Sequence, residues 1–245
     1  PLRALITVAG IACSVGVLIS GTFWTDSINY LIDTQFRITQ VADADVALIE
    51  PTASNVQQDI SRLPGVAQTE GARYVPVNLV AGHRSYRTAI QGLPQHARLK
   101  RLLDENLREV ALPSDGLLLT DRLAQRLDVR TGDKLWVETL QGKRRQRELT
   151  IAGTVGEMIG MSVYMDIDAL NRLMGEAPSV SSVAVTLDRK REAEFFSAAK
   201  NHPRIATVAS KTSMLKSFQE NSAKNILFFT TTFTGFAAVI AFGVV

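Results

Sequence analysis

The two ends of the chain are long apolar segments without a single charged residue, and they constrain the fold more than any other feature. They cover Ala4–Trp24 and Ile226–Val245. About 20 residues of this kind, in an α-helix, cross the roughly 30 Å hydrocarbon layer of a bilayer. We therefore predict two transmembrane helices, over 1–25 and 226–245, with a buried soluble helix as the alternative for each. We expect both ends to continue in a longer chain.

Apolar residues continue at helical spacing on the inner side of each predicted span. This continuation, with the length of the first apolar segment, argues against a cleaved signal peptide. It predicts amphipathic stalks over 26–42 and 212–225. The candidate coupling residues on these stalks are Ile28, Leu31, Ile32, Phe36, Met214, Leu215 and Phe218.

The charges indicate how the chain is oriented in the membrane. Arg3 precedes the first predicted span, and a basic flank favours the cytoplasmic side. The residues between the spans are then extracytoplasmic, in a multi-pass membrane protein. The 27 basic and 24 acidic residues are nearly balanced, which gives no case for nucleic acid binding. Cys13, the only cysteine, lies in the first span, so no disulfide is expected within the middle domain.

A repeat indicates a split α/β domain, with halves predicted over 43–81 and 154–211. Each half contains a strand, a helix and a further strand that follows a proline, Pro64 or Pro203. Two such β-α-β units form one mixed sheet. The predicted elements are a strand over 43–50 and a helix over 54–63 with Ser54 as N-cap, then a strand over 182–188 and a helix over 191–201.

Between the halves, residues 82–153 are predicted to form a β-rich insertion. Its clearest elements are a strand over 117–119, a short helix over 121–127 and a hairpin with arms 134–140 and 147–155. Residues 102–109 are compatible with a helix or its cap. After the insertion, the sequence predicts a strand and a helix with Asp166 or Asp168 as N-cap and Gly175 as its end.

Motifs for catalysis and for cofactor binding were not found in the sequence. It contains no G-x-x-x-x-G-K-[ST], H-E-x-x-H or G-x-S-x-G. His83, His96 and His202 are scattered, without carboxylates or cysteines at metal-ligand spacing. We therefore predict no catalytic residue, no cofactor and no metal site, and no enzymatic activity in this chain.

Two short segments allow a functional interpretation beside a structural one. The basic residues 143–147 lie at the predicted hairpin tip; a solvated turn is favoured, and an anionic lipid or acidic partner is the alternative. Met158, Ile159 and Met161 lie in a glycine-flanked apolar stretch. We favour a core role for them, while an adaptable surface facing a lipid-like substrate is the alternative.

The whole chain resembles the FtsX/MacB-like ABC transporter permeases. The opening PLRALITVAGIACSVGVLISG is similar to the first helix of that family. GLLLTDRLAQRLDVRTGDKLWV resembles its strand, small helix and L-x-V-x-x-G-D turn, and LTIAGTVGEMIGMSVYMDIDALNRLMG resembles the segment that follows. GFAAVIAFGVV resembles long permeases built from duplicated units. The further spans and the ATPase-docking helix of a complete permease are not found in this sequence.

The resemblance implies a function that composition and spacing do not. It implies a permease whose extracytoplasmic, porter-like domain is driven through its stalks by a separate cytoplasmic ATPase, for export or extraction of a lipid, lipoprotein, peptide or drug. The implied partners are that ATPase subunit, a second permease copy or homologous half, a periplasmic adaptor or substrate protein, and membrane lipids.

We accordingly predict an α+β chain, with two transmembrane helices flanking a split α/β domain that carries a β-rich insertion. The main alternative function is a two-span signalling receptor with an extracytoplasmic sensor domain. A membrane-anchored enzyme is a more distant alternative, since no residues suggest its chemistry.

Overall fold

The computed structural model describes residues 39–142, 144–157 and 160–217, together with the single positions 8, 12, 16, 23, 220 and 231. The chain divides into two compact units, and the fold below is that of the unit Ile38–Lys211. In the other unit, residues 212–217 are helical. Within the described residues, no helix has both the length and the apolar character needed to cross a membrane. The predicted spans, 1–25 and 226–245, lie outside the continuous described ranges.

The unit contains nine strands and four helices among its described residues. In chain order they are β1 (Ala44–Ala53), α1 (Val56–Ser61), β2 (Val66–Ala81), β3 (Arg84–Leu93), β4 (Leu117–Thr120), α2 (Asp121–Leu127), β5 (Lys134–Thr139), β6 (Gln146–Val155), β7 (Val163–Asp166), α3 (Ile167–Met174), β8 (Ser179–Leu187), α4 (Glu192–Lys200) and β9 (Ile205–Ser210).

Four strands form the first sheet, called here the porter sheet, in the order β2-β8-β1-β9. Neighbouring strands are antiparallel, so that Val46 of β1 lies opposite Val183 of β8 and Val208 of β9. The two repeats are β1-α1-β2 and β8-α4-β9, and their strands interleave. Because each pair of parallel strands is separated by a strand from the other repeat, neither repeat forms a sheet by itself. The predicted mixed α/β architecture is confirmed.

Apolar residues four positions apart bring both repeat helices onto one core. Val56 and Ile60 of α1 are buried, as are Phe195 and Ala199 of α4. They pack against the valines of β1 and β8, and the Phe195 ring contacts Phe196 edge to face at 5.4 Å.

Helix α1 is shorter than the helix predicted over 54–63. Asn55, rather than Ser54, is the N-cap residue, and its side chain makes no capping hydrogen bond. The carbonyl of Ser54 instead accepts the N–H of Gln57 at 3.2 Å, as part of a turn before the helix. The prediction of Ser54 as N-cap is therefore wrong.

Six strands close into a barrel, in the ring order β2-β3-β7-β4-β6-β5 and back to β2. The β3–β7 and β4–β6 pairs are parallel, and the other pairs are antiparallel. Leucines from α2 and α3, including Leu123 and Leu170, are buried in the same core as the inward residues of the strands. A closed barrel leaves no unpaired edge along the strands that form it.

The barrel extends beyond the insertion predicted over 82–153. It begins earlier, because the second part of β2 supplies the buried residues Val75, Val77 and Leu79. It also ends later, since β7 pairs with β3 and β4, and α3 packs into the barrel core. The first part of the half predicted over 154–211 therefore belongs to the barrel by its packing.

Helix α3 begins and ends at residues that the sequence predicted, Asp166 and Gly175. The Asp166 carboxylate accepts the N–H groups of Asp168 and Ala169, both at 3.0 Å, and so caps the first turn. Gly175 ends the helix with φ 68°, a left-handed conformation that glycine adopts without strain.

Residues 102–109 form a turn and not the helix that the sequence allowed. The Asp104 carboxylate accepts the N–H groups of Asn106 and Arg108, both at 2.8 Å. Leu103 and Glu109 then pair as an isolated bridge. A side chain that binds backbone groups ahead of it favours a turn over a helix.

We expect Leu135→Ala to destabilise the domain by about 2–5 kcal/mol, because Leu135 is buried in the barrel core and its truncation leaves a cavity. The neighbouring Trp136→Ala removes a larger side chain, but Trp136 is 46% exposed on the other face of β5. Urea unfolding of both variants checks this expectation. A larger loss for Trp136→Ala than for Leu135→Ala would contradict the assigned barrel interior.

Candidate functional site

The described part of the second predicted stalk is helical. Residues 211–217 form a helical segment, in which Met214 is 40% exposed and Leu215 is half-buried. The coupling role of these two residues stays a prediction. The other candidate coupling residues lie outside the described residues: Ile28, Leu31, Ile32, Phe36 and Phe218.

The apolar stretch after Gly156 is described only in part. Met158 and Ile159 lie outside the described residues. Met161 packs half-buried against the barrel core, and Val163 is fully buried in it. This packing agrees with a core role for these two residues, and a substrate-facing role for Met161 stays a prediction.

Within the basic run, Arg145 contributes to the fold. Its N–H and carbonyl both bond to Thr139 at 2.9 Å, which closes the base of the β5–β6 turn. Its guanidinium lies against Gly175, where an added β-carbon would come within 2.6 Å of Nη1. A cation beside the C-terminus of α3 is favourable for the helix dipole. Arg144 and Arg147 are exposed.

The two ends of the unit are held side by side by a group of contacts called here the terminal clamp. Ala44, the first residue of β1, lies opposite Ser210, the last residue of β9. The Lys211 N–H donates to the Asp43 carbonyl at 2.9 Å, and the Lys211 ammonium donates to the Gln40 carbonyl at 2.8 Å. The chain therefore enters and leaves the porter sheet at one place.

Strand β2 connects the porter sheet to the barrel, and its hydrogen-bonding partner changes between Ala72 and Arg73. Residues 66–72 pair with β8, and residues 73–81 pair with β3. The Arg73 side chain is fully buried at this point. Its Nη2 lies 2.9 Å from the Glu176 carboxylate, and its Nη1 lies 3.5 Å from the Gln141 side-chain oxygen.

This ion pair was not predicted from the sequence, although one signal for Arg73 was present. Side chains alternate between the two faces of β2, and Arg73 falls on the same face as Val75, Val77 and Leu79. The alternation therefore indicated that the charged side chain of Arg73 faces inward. Glu176 follows α3 and is 103 positions away in the sequence. Nothing in the local pattern distinguishes it from a solvated glutamate.

Residues 94–116, called here the covering segment, pass from β3 to β4 and are attached to the porter sheet by Glu70. Its carboxylate accepts the N–H groups of Arg98, Leu99 and Lys100, at 2.6, 3.2 and 3.3 Å. Hydrogen bonds to an ionised carboxylate are stronger than neutral ones. Leu99 is buried against Ala184 of β8.

Lys100 attaches the covering segment to the porter sheet a second time. Its ammonium lies 2.6 Å from the Asp45 carboxylate and donates to the Tyr74 hydroxyl at 2.7 Å. Burial disfavours the ammonium, but Tyr74 and Asp45 outweigh this penalty, and the pKa of Lys100 lies above its usual value. Lys100 is therefore a cation at neutral pH.

Near the predicted substrate-facing loop, the Tyr164 hydroxyl donates to the Glu157 carboxylate at 2.5 Å. Burial raises the pKa of Glu157, and the hydrogen bond from Tyr164 opposes that shift only in part. Tyr164 belongs to the apolar cluster under the covering segment.

In the described part of the chain, no three metal-binding side chains are grouped as a site. His83 and His96 are exposed, and the His202 ring accepts the N–H of Arg204 at 3.3 Å. These contacts are those of surface and turn histidines.

Glu70→Gln should loosen the covering segment, because an amide oxygen is a weaker acceptor than a carboxylate for the same three N–H groups. We expect faster deuterium exchange at residues 98–100, with exchange in β8 unchanged. Glu109→Gln is the matched control, since Glu109 lies exposed in the same segment. Equal protection of residues 98–100 in all three proteins would contradict this role for Glu70.

Glu157→Gln should stabilise the domain at alkaline pH. Because its pKa in the folded state is raised, ionised Glu157 lowers stability as the pH rises through that value, and this penalty is absent below its usual pKa of 4.5. Glutamine imitates the protonated form. We expect the variant to have a higher Tm than the parent at about pH 8 and an equal Tm at about pH 4. The exposed Glu50→Gln should change neither. A lower Tm for Glu157→Gln across the range would refute the expectation.

The sequence and the fold are similar to those of known proteins. A sequence profile of the MacB-like periplasmic core domain matches residues 4–201. Similar solved structures include the periplasmic region of MacB from Actinobacillus actinomycetemcomitans, at 10% identity and TM-score 0.45, covering 76% of this chain and 96% of that one. Another is the extracellular domain of the noncanonic ABC-type transporter YknZ from Gram-positive bacteria, at 11% identity and TM-score 0.42, covering 68% and 98%. No curated protein matches the sequence significantly.

Both TM-scores are low, so the assignment rests on the sequence match, which spans most of the chain. The predicted resemblance to FtsX/MacB-like permeases is confirmed by that match. The chain belongs to the family of MacB-like periplasmic core domains, the extracytoplasmic part of MacB/FtsX-like permeases.

Proposed function

We propose that this chain is part of an ABC transporter permease whose extracytoplasmic domain is moved by a separate cytoplasmic ATPase through helical stalks. Membership of the MacB-like family supports the permease assignment. The terminal clamp is the observation that supports transmission of motion. Family membership alone does not say how motion would reach the domain, and the clamp suggests a route.

The clamp would deliver movement of both flanking segments to the same strands. Ala44 and Ser210 are paired, so a displacement of one end is shared with the other through the β1–β9 hydrogen bonds. Residues 211–217 are helical, and the helix follows β9 without an intervening coil residue. A continuous helix transmits a displacement that a flexible linker would absorb.

From the clamp, the displacement would pass across the porter sheet to the barrel. β1 is hydrogen-bonded on both sides, to β8 and β9, and β8 pairs in turn with β2. The far part of β2 is a barrel strand. Since protein interiors are close-packed and barely compressible, such a ladder moves its end strands together.

The remaining features of the proposal come from the sequence patterns and from the family resemblance. The chain would lie in the bacterial inner membrane, with 1–25 and 226–245 as spans and 26–42 and 212–225 as stalks. Its partners would be an ATPase subunit, a second permease copy or homologous half, a periplasmic adaptor or substrate protein, and membrane lipids. The transported molecule would be a lipid, lipoprotein, peptide or drug, with Met158, Ile159 and Met161 as candidate contacts.

Inserting Gly-Gly after Leu31 should uncouple the domain from the ATPase, because two glycines interrupt the predicted stalk helix. The full-length permease, with its native cysteines including Cys13 replaced by serine, would be spin-labelled at Ser85→Cys and reconstituted with its ATPase in nanodiscs. Ser85 is exposed on the barrel. We expect ATP with vanadate to shift the distance between the labels of two copies in the parent and not in the insertion variant, with the ATPase still bound in both.

The matched control is the same Gly-Gly insertion after Gly82, in the exposed turn between β2 and β3. It lengthens the chain equally but leaves the stalks intact, so the ATP-dependent shift should persist. A persistent shift after the insertion at Leu31 would contradict the stalk mechanism. An absence of any ATPase partner or shift in the parent would refute the transporter assignment itself.

A further inference from the structure

We propose that the buried ion pair between Arg73 and Glu176, called here the junction ion pair, fixes the orientation of the barrel relative to the porter sheet. If the proposed function holds, this pair is what allows displacement of the porter sheet to become displacement of the barrel. The orientation itself is a property of the domain and can be measured without ATP.

The first argument is the position of the two residues. The chain crosses between the porter sheet and the barrel at two places: within β2, and through residues 175–178 between α3 and β8. Arg73 lies at the change of pairing within β2, and Glu176 lies in the connection between α3 and β8. The ion pair therefore joins the two crossings directly.

The second argument is burial. The Arg73 side chain is 0% exposed and the Glu176 side chain is 35% exposed, with 2.9 Å between Nη2 and Oε2. Among the described residues, the guanidinium has no other carboxylate, and its Nε has no hydrogen-bond partner. A buried cation with one anionic partner strongly disfavours any movement that separates the two.

The third argument is that the surroundings hold Glu176 in place. The Ser179 hydroxyl lies 3.4 Å from its carboxylate and donates to the Asn171 side chain at 3.0 Å. The Asn171 amide donates to the Ser179 carbonyl at 3.2 Å. Both Asn171 and Ser179 are buried, and the backbone N–H of Glu176 donates to the Asn171 carbonyl at 3.0 Å, so the backbone that carries the carboxylate is held against α3 and β8.

The hydrogen bond between Arg73 and Glu176 depends on direction, and apolar packing at the same place would not. A charged hydrogen bond weakens steeply when its distance or angle changes, whereas apolar contacts tolerate sliding. The covering segment also contacts the porter sheet, through Glu70 and Lys100. The β2 residues in those contacts, Glu70 and Tyr74, alternate with Arg73 and therefore lie on the other face of the strand. The junction ion pair is thus placed to resist rotation about the two crossings.

The test measures the orientation by pulsed electron resonance on the full chain in nanodiscs, without ATP. Spin labels would be placed on the barrel at Ser85→Cys and, at Ser197→Cys, on helix α4, which packs against the porter sheet. Both positions are exposed, and the native cysteines, Cys13 among them, would be replaced by serine. We expect a narrow distance distribution in the parent and a broad one in Glu176→Gln. A second label pair within the barrel, Ser85→Cys with Gln125→Cys, should remain narrow in both.

Glu176→Gln leaves a buried charge unpaired, so its Tm should fall by on the order of 10 °C. The double variant Arg73→Met with Glu176→Leu removes both charges and should recover the parent Tm, as apolar replacements of buried ion pairs often do. We expect its distribution to stay broad, because the directional contact is gone although the protein is stable.

Glu194→Gln is the matched control, since it removes an exposed carboxylate that is paired with Arg191 at 3.0 Å. Its distribution and Tm should equal those of the parent. A narrow porter-to-barrel distribution in the stable double variant would overturn the proposal. A failure of the transporter assignment would leave these distances unchanged, so the two ideas fail separately.

Discussion

The fold depends on one strand that serves two sheets. β2 extends over Val66–Ala81, and backbone hydrogen bonding commits its first part to the porter sheet and its second part to the barrel. Because β2 is one continuous strand, a shift of its register in one sheet is also a shift in the other. Its side chains alternate with period two, so a shift by one residue exchanges its two faces. A slip by one residue would turn Val75, Val77 and Leu79 out of the barrel core. The shared strand thus fixes both registers at once.

The same constraint explains why a charge is tolerated inside. Arg73 occupies an inward position where neither core is complete, at the point where β2 leaves its pairing with β8. An apolar side chain would pack there, but the guanidinium reaches across to the connection between α3 and β8. Arg73 therefore connects the barrel to the porter sheet and also carries the free-energy cost of burying a cation.

Much of the secondary structure could be predicted from local signals. The helix over 121–127 was predicted at its observed bounds, and the cap at Asp166 and the stop at Gly175 depend on neighbouring residues alone. Ser54 shows where local signals fail. Serine is a good capping residue, but Ser54 lies in a turn before the helix, and Asn55 takes the N-cap position. The closed barrel was not predicted, because its closure depends on pairings such as β3 with β7, far apart in the sequence.

The side chains that connect the parts of the domain were harder to predict than the helices and strands. The glutamates Glu70 and Glu176 act through partners that only the tertiary fold brings near, and in the sequence they resemble any surface carboxylate. Met161 and Val163 show the opposite case, in which an apolar stretch considered for a substrate surface packs at least in part as core. The stalk residues follow from periodicity and family resemblance, and the clamp suggests what they would act upon.

The interleaving of the two repeats has a consequence for the order of folding. β1 is synthesised early, yet its strand partners among the described residues are β8 and β9, the last two strands of the unit. Both edges of β1 lack these partners until β8 has emerged, and the edge that pairs with β9 stays open until Ser210 has emerged. Such edges invite pairing with other chains. Contacts of this sequence separation also form slowly. A domain built in this way completes its central sheet only at the end of its own translocation, so its exposure to chaperones and proteases is set by the time that its last strand takes to arrive.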